Sequence, residues 1–267
     1  MKNRVNRTAV KKLLAAACLV CMSGWYAWAE DGYSIMKAMD DKDTPSTTHA
    51  LVKLELVDEK GNTSERIIEQ WGMTEGDKSG NVIVFHSPAS VKNSRFLILS
   101  EKGKGDGKWI FLPALKKVRR IAASEGNSSF MGTEFTYDDM SSREIDDYQY
   151  TLLGEENFDG RPCYKIESVA KPGVDSSYAK TVSWIVKDPD VLTVLKIEMY
   201  GSDGSVVKVF HVEDLQKVDG FWVPMAISMK NLGNGKETKM IQQRLELNAR
   251  LNTSLFTTRF LETGKAN

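Results

Sequence analysis

From His49 onward the chain alternates apolar and polar residues in short runs, and each run ends at a Gly, Asn or Asp turn. Side chains of a strand point to opposite faces with a period of two, so this alternation prescribes half-buried strands rather than helices. "HALVKLELVDEKGNTSERIIEQW" reads as two strands about Lys60-Gly61-Asn62. "NVIVFHSP" and "SRFLILSEKGKGDGKWIFLP" supply three more. Further turns fall at Phe158-Asp159-Gly160, Gly201–Gly204 and Asp219-Gly220, and "KETKMIQQRLELNARLN" is a last long strand. About ten or eleven strands follow one another in meander order, with no tandem repeat and no Pro- or Ser-rich linker. One domain from residue 30 to 267 is expected.

Only three stretches read as helical. "GYSIMKAMDDKD" places Ile35, Met36 and Met39 at helical spacing before Pro45, "TYDDMSSREIDDY" is expected to be helical with Asp138 and Asp139 at its N-terminus, and "TSLFTTRFLE" ends the chain with a helical turn. A long antiparallel sheet must curl because strand twist accumulates. The expectation is a mainly β (α+β) fold: a strongly curved antiparallel sheet, an incompletely closed barrel with short helices over its concave side. Such a shape holds either a packed core or a cavity.

Residues 1–29 read as an export signal. Lys2, Arg4, Arg7, Lys11 and Lys12 form a basic segment, "LLAAACLVCMSGW" an apolar one, and Ala27 and Ala29 stand at the small-residue positions of a cleavage site. The apolar run is shorter than the roughly 20 residues a membrane helix needs. A looser alternative is lipidation at Cys18. Cleavage after Ala29 leaves Cys163 as the one thiol, so no internal disulfide is expected. One Cys with His49, His86 and His211 at these spacings makes no metal site, and no cofactor is implied. The whole chain balances 36 bases against 36 acids; without the five bases of the leader the remainder is mildly acidic. That balance argues against nucleic acid as a partner.

Three strings carry a family resemblance: "FHSPASVKNSRFLIL", "WIFLPALKKVRRI" and "SFMGTEFTYDDM". In this order they resemble the outer-membrane lipoprotein-sorting proteins, the LolA-like periplasmic carriers, and within them the exporter-associated branch with spirochaetal members. The resemblance implies a half-open barrel capped by helices whose hydrophobic cavity receives acyl chains of a lipid or lipoprotein. It also implies a periplasmic location and an inner-membrane exporter complex as donor. A monomer is expected.

Site residues are proposed on that basis. Met36, Met39, Trp109, Phe111, Phe130, Met131, Phe135, Tyr137, Trp184 and Trp222 are candidates to line an acyl cavity, with core packing the ordinary alternative for each. Eleven methionines favour adaptable apolar contact. Arg119 and Arg120 are candidates for a lipid phosphate or an acidic membrane partner, the alternative being a solvated strand end. A second reading is a Ser-dependent lipid hydrolase built on Ser128 or Ser129 with His86, although no Gly-x-Ser-x-Gly elbow is present.

Overall fold

Asp31 starts the first helix: its carboxylate accepts a hydrogen bond from the Ser34 amide at 2.7 Å, satisfying one of the orphan donors of a helix start. The computed structural model describes residues 31–266, and the export signal expected at 1–29 lies outside the described residues. Helix α1 (Gly32–Asp40) is followed by β1 (Thr47–Val57), β2 (Thr63–Glu75), β3 (Lys78–Ser87), β4 (Arg95–Glu101), β5 (Lys104–Leu112) and β6 (Lys117–Arg120). Then come β7 (Tyr148–Phe158), β8 (Arg161–Ala170), β9 (Lys180–Val186), β10 (Val194–Tyr200), β11 (Val206–Val218), β12 (Phe221–Asn231), β13 (Glu237–Leu247) and α2 (Thr258–Thr263).

The strands form one antiparallel sheet in the order β6-β5-β4-β3-β2-β1-β13-β12-β11-β10-β9-β8-β7. Thirteen described strands replace the expected ten or eleven; one addition is the basic string itself, since Lys117–Arg120 pairs with Trp109–Leu112. Every strand pairs with its sequence neighbour except at the middle, where β1 joins β13, and at the edges. The two free edges, β6 and β7, are consecutive in the chain. The connecting segment 121–147 therefore has to travel from one edge of the sheet to the other.

It does so across one face, the inner face. Ala50, Val52 and Leu54 of β1, Ile83 and Phe85 of β3, and Phe96 and Ile98 of β4 turn that way and meet Ile121, Phe130 and Tyr137 of the segment. The alternate residues Val82, Val84, Leu97 and Phe111 turn to the outer face and meet Leu255, Phe256, Phe260 and Leu261 at the C-terminus. So the two helices do not both cap the concave side, as the sequence led one to expect: α1 and α2 lie on opposite faces. The reason is legible in "VIVF" and "FLIL", apolar at every position, which demand cover on both faces.

The helix expected over 136–148 is also absent; only Ile145–Asp147 makes a 3-10 turn. Thr136 and Asp139 cap each other instead, the Thr136 amide donating to the Asp139 carboxylate at 2.8 Å and the Asp139 amide to the Thr136 hydroxyl at 3.1 Å. Side chains of this kind offer the backbone an alternative to helix. Phe135 and Tyr137 are both buried, and the Ser129–Thr136 bridge keeps this stretch extended.

Candidate functional site

Segment 128–137 folds back on itself as a small hairpin. The Phe130 amide donates to the Phe135 carbonyl at 2.8 Å and the Tyr137 amide to the Ser128 carbonyl at 3.1 Å. Its tip is Met131-Gly132, with φ of 53° and 77°; a left-handed glycine there costs nothing sterically. The hairpin drives its aromatics into the sheet: Phe130 lies 5.0 Å from Phe96 and 6.0 Å from Phe85, and Tyr137 lies 5.6 Å from Phe96, centroid to centroid. Burying each such ring is worth roughly 1.5–3 kcal/mol. These residues fill the inner face between β1 and β5.

Polar groups fasten the hairpin at its rim. Arg66, opposite Leu54 and so on the inner face, donates to the Met131 carbonyl. Burial lowers the guanidinium's pKa from its ordinary value, though not enough to discharge it. The Glu134 amide donates to the Thr238 hydroxyl at 3.0 Å, and Lys208 donates to the Glu134 carbonyl at 2.7 Å. Asp139, nearly all of its side chain buried, sits 3.5 Å from the Lys208 ammonium and accepts from the Tyr178 hydroxyl at 3.0 Å. Burial is the main reason the Tyr178 phenol is pushed far above its usual range.

Three hollows lie beside the connecting segment 121–147 among the described residues. An apolar one of about 220 Å³ lies between α1 and β7–β10, lined by Met36, Met39, Tyr150, Val194 and Ile197 over a floor of Ser168, Thr181 and Ser183. Burial pushes the Tyr150 phenol up to about 12. A second, of about 260 Å³, is lined by Thr48, Asn81, Ile98, Ser100 and Met140, and the Asn81 side-chain oxygen is buried there without a hydrogen-bond partner. The third is an open, charged cleft of about 980 Å³ at the seam, walled by residues of β5 and β6 on one side and by Arg143, Glu144, Asp147 and Tyr148 on the other. The segment Ser141–Tyr148 borders all three: Ser141 and Ser142 line the second and third, and Arg143 and Tyr148 the first and third.

A protein-family model described as "-like: Uncharacterized protein" matches residues 77–263. Two solved structures resemble the chain throughout. One is a DUF1329 family protein from Desulfovibrio piger, 28% identical over 86% of this chain and 97% of its own, with a TM-score of 0.81. The other is a putative outer membrane lipoprotein-sorting protein domain from Vibrio parahaemolyticus, 28% identical over 86% and 98%, with a TM-score of 0.80. The chain belongs to the LolA-like family. A LolA superfamily protein from Nitrosomonas europaea, 19% identical over 87% of this chain and all of its own, shares the fold at a TM-score of 0.65. No curated protein matches the chain.

Within this LolA-like frame the proposed site residues separate by face. Met36 and Met39 line the apolar hollow. Phe130 and Tyr137 fill the inner face beside β1–β5, with Met131 packed at their edge; Phe135 packs with Tyr178, Met199 and Met229. Trp109 and Phe111 do share a face, but it is the outer one, against the C-terminal residues. Trp184 alternates with Ser183 and so points away from the hollow; Lys165 and Lys196 lie 4.7 and 4.2 Å from its ring, and its indole N–H donates to Glu156 at 2.6 Å. Trp222 shares that cluster and donates to Asp190 at 2.9 Å.

The remaining candidates are spread out. Arg119 is held by both oxygens of Glu125, at 2.9 and 2.8 Å, whereas Arg120 pairs with Trp109 and lies over its ring on the outer face, beside the seam cleft. The Ser129 hydroxyl donates to the Thr133 carbonyl at 2.6 Å. His86 bonds Glu69, which also holds His49, and Glu69 pairs with outer-facing Val84. The structure therefore does not bring Ser129 and His86 together. Sequence reasoning passed over Arg66, Tyr150, Ile197 and the whole of Ser141–Tyr148. For Tyr150 and Ile197 a signal existed in the strand alternation; for Arg143 and Tyr148 the expected helix hid it.

Proposed function

We propose that the chain is a periplasmic carrier that shelters acyl chains of a lipid or lipoprotein against the inner face of its sheet, receiving them from an inner-membrane exporter complex. The observation that carries this reading is the apolar hollow between α1 and β7–β10, lined by Met36, Met39, Tyr150, Val194 and Ile197 in a fold of the lipoprotein-sorting type. At about 220 Å³ it is smaller than the ~300–1,000 Å³ of ordinary ligand sites, so a whole chain enters only as an apolar filler gives way. The 128–137 hairpin supplies that filler: it covers the adjoining inner face and is tied to the strands by a few polar bonds at its rim. Each buried methylene contributes about 0.8 kcal/mol, so an acyl chain can replace the contacts the hairpin yields.

The test is native mass spectrometry of the purified protein, with lipid extraction of the same sample. Co-purified acyl species, displaced by added phospholipid vesicles, are expected. Protein free of lipid that also takes none from vesicles would end the carrier reading.

A further inference from the structure

The charged cleft at the seam has an unusual remainder once its internal pairs are subtracted. Lys108 pairs with Asp138 at 3.3 Å, and Asp138 also accepts from Ser177 at 2.9 Å. Lys104 pairs with Glu101 at 2.8 Å. Asp106 accepts from the Ser142 hydroxyl and amide, and Glu144 from the Gly103 amide. Four charged lining residues are left: Arg120, Arg143, Asp147 and Asp175. Arg120 pairs with Trp109 and lies over its ring at 5.8 Å, so its guanidinium is on the outer face, whereas Arg143 lies over Tyr148 at 5.9 Å. None of the four has a side-chain ion pair or hydrogen bond among the described residues. One cation, Arg143, and two anions, Asp147 and Asp175, thus line the cleft with no ion pair or side-chain hydrogen bond among the described residues.

Such a lining is complementary to a group that carries both signs. Guanidinium groups bind phosphate oxygens, singly or by two parallel bonds, and a carboxylate accepts from an ammonium. The cleft's volume, about 980 Å³, leaves room for a polar head with its water. Its position supplies the second half of the argument: Arg143 and Tyr148 line both this cleft and the apolar hollow. A molecule with a zwitterionic head and an apolar tail finds both environments across one pair of side chains.

Building on the carrier reading above, we propose that the seam cleft is the head-group site of a zwitterionic phospholipid, its phosphate facing Arg143 and its ammonium facing Asp147 and Asp175. The cargo is then a glycerophospholipid with a phosphoethanolamine-type head rather than the uncharged anchor of a lipoprotein.

The experiment uses protein expressed from its full-length reading frame. It is incubated with vesicles of equal parts phosphatidylethanolamine, phosphatidylglycerol and diacylglycerol with matched acyl chains, and the lipid it carries away is quantified. A preference for phosphatidylethanolamine over phosphatidylglycerol of about fivefold is expected, the size of a solvent-accessible ion pair at full strength. Asp147→Asn with Asp175→Asn brings that ratio to one; Arg120→Gln, on the outer face, leaves the ratio as it was; diacylglycerol uptake stays unchanged in each. Asp175→Asn alone, at an exposed loop position, serves if the double variant does not fold. Equal uptake of the two phospholipids by the unaltered protein, or a ratio that survives the Asp changes, overturns the head-group site and leaves the carrier reading standing. Failure to take up even diacylglycerol ends both. Free glycerophosphoethanolamine bound as tightly as the lipid would reassign the cleft to a soluble zwitterion and overturn the lipid assignment.

Discussion

Arg66 of β2 reaches the main-chain carbonyl of Met131, at the tip of the hairpin that covers the inner face. The contact joins a central strand of the sheet to the hairpin that crosses its inner face. The guanidinium lies close to the hairpin tip: a Cβ added to Gly132 would sit 3.6 Å from it. Arg66 thus acts as a latch between sheet and hairpin, charged and half-buried.

Arg66→Met keeps the stem and removes the donors. Hydrogen bonds to charged groups are worth about 1.5–3 kcal/mol when buried, and this one is half-buried, so a loss of about 1 kcal/mol is expected. Hydrogen exchange should locate it: the Phe130 and Tyr137 amides exchange faster while the β1 and β13 amides keep their protection. Uniform loss of protection would mean that Arg66 supports the sheet and not the hairpin.

At the other end of the hairpin, Asp139 meets Lys208 and Tyr178. The Asp139 side chain is 3% exposed and that of Lys208 12%. Removing one member of a buried pair strands the other, at a cost of roughly 3–5 kcal/mol. Lys208 retains the Glu134 carbonyl as a partner, so Asp139→Ala is expected near the lower end, about 3 kcal/mol by urea unfolding. Tyr178→Phe removes only the hydroxyl contact and should cost about 1 kcal/mol.

The buried phenols make stability fall in alkali. Tyr150 ionises near 12 in the folded chain, chiefly because it is buried, against about 10 when unfolded. The unfolded state then releases its proton first, so the contribution is complete below pH 10 and is lost between pH 10 and 12. Tyr150→Phe should flatten that decline by on the order of 2 kcal/mol. Denaturant unfolding at pH 9 and pH 11.5 measures it, and identical slopes for both proteins would refute it.

Much of the sheet was legible because alternation is a local signal. The 128–137 hairpin was legible only in part. Its apolar residues were visible, but whether Phe130 fills a hollow or lines one depends on which face of β3 and β4 meets it, and "VIVF" and "FLIL" are apolar on both. The same ambiguity placed Trp109 and Phe111 together without saying on which side. The closure of β1 with β13 joins residues from opposite ends of the chain, such as Leu54 and Met240, and no local pattern encodes it. Arg143 and Tyr148 were hidden because acids and serines at 136–148 looked like a helix start, while the Thr136–Asp139 capping pair holds an extended turn.

The separation by face yields a paired test of where cargo goes. Met39 lines the apolar hollow beside Met36, and a larger ring there would occupy space an acyl chain needs. Met39→Trp should therefore reduce bound lipid several-fold, with a stability change of about 1–3 kcal/mol at most. Phe111 is 9% exposed on the outer face among Leu97, Phe260 and Leu261. Phe111→Ala should cost about 3–5 kcal/mol and leave the lipid content of the folded fraction unaltered. Lipid per folded molecule, read by extraction after size exclusion, decides between them. Loss in Phe111→Ala with none in Met39→Trp would move the binding surface to the outer face.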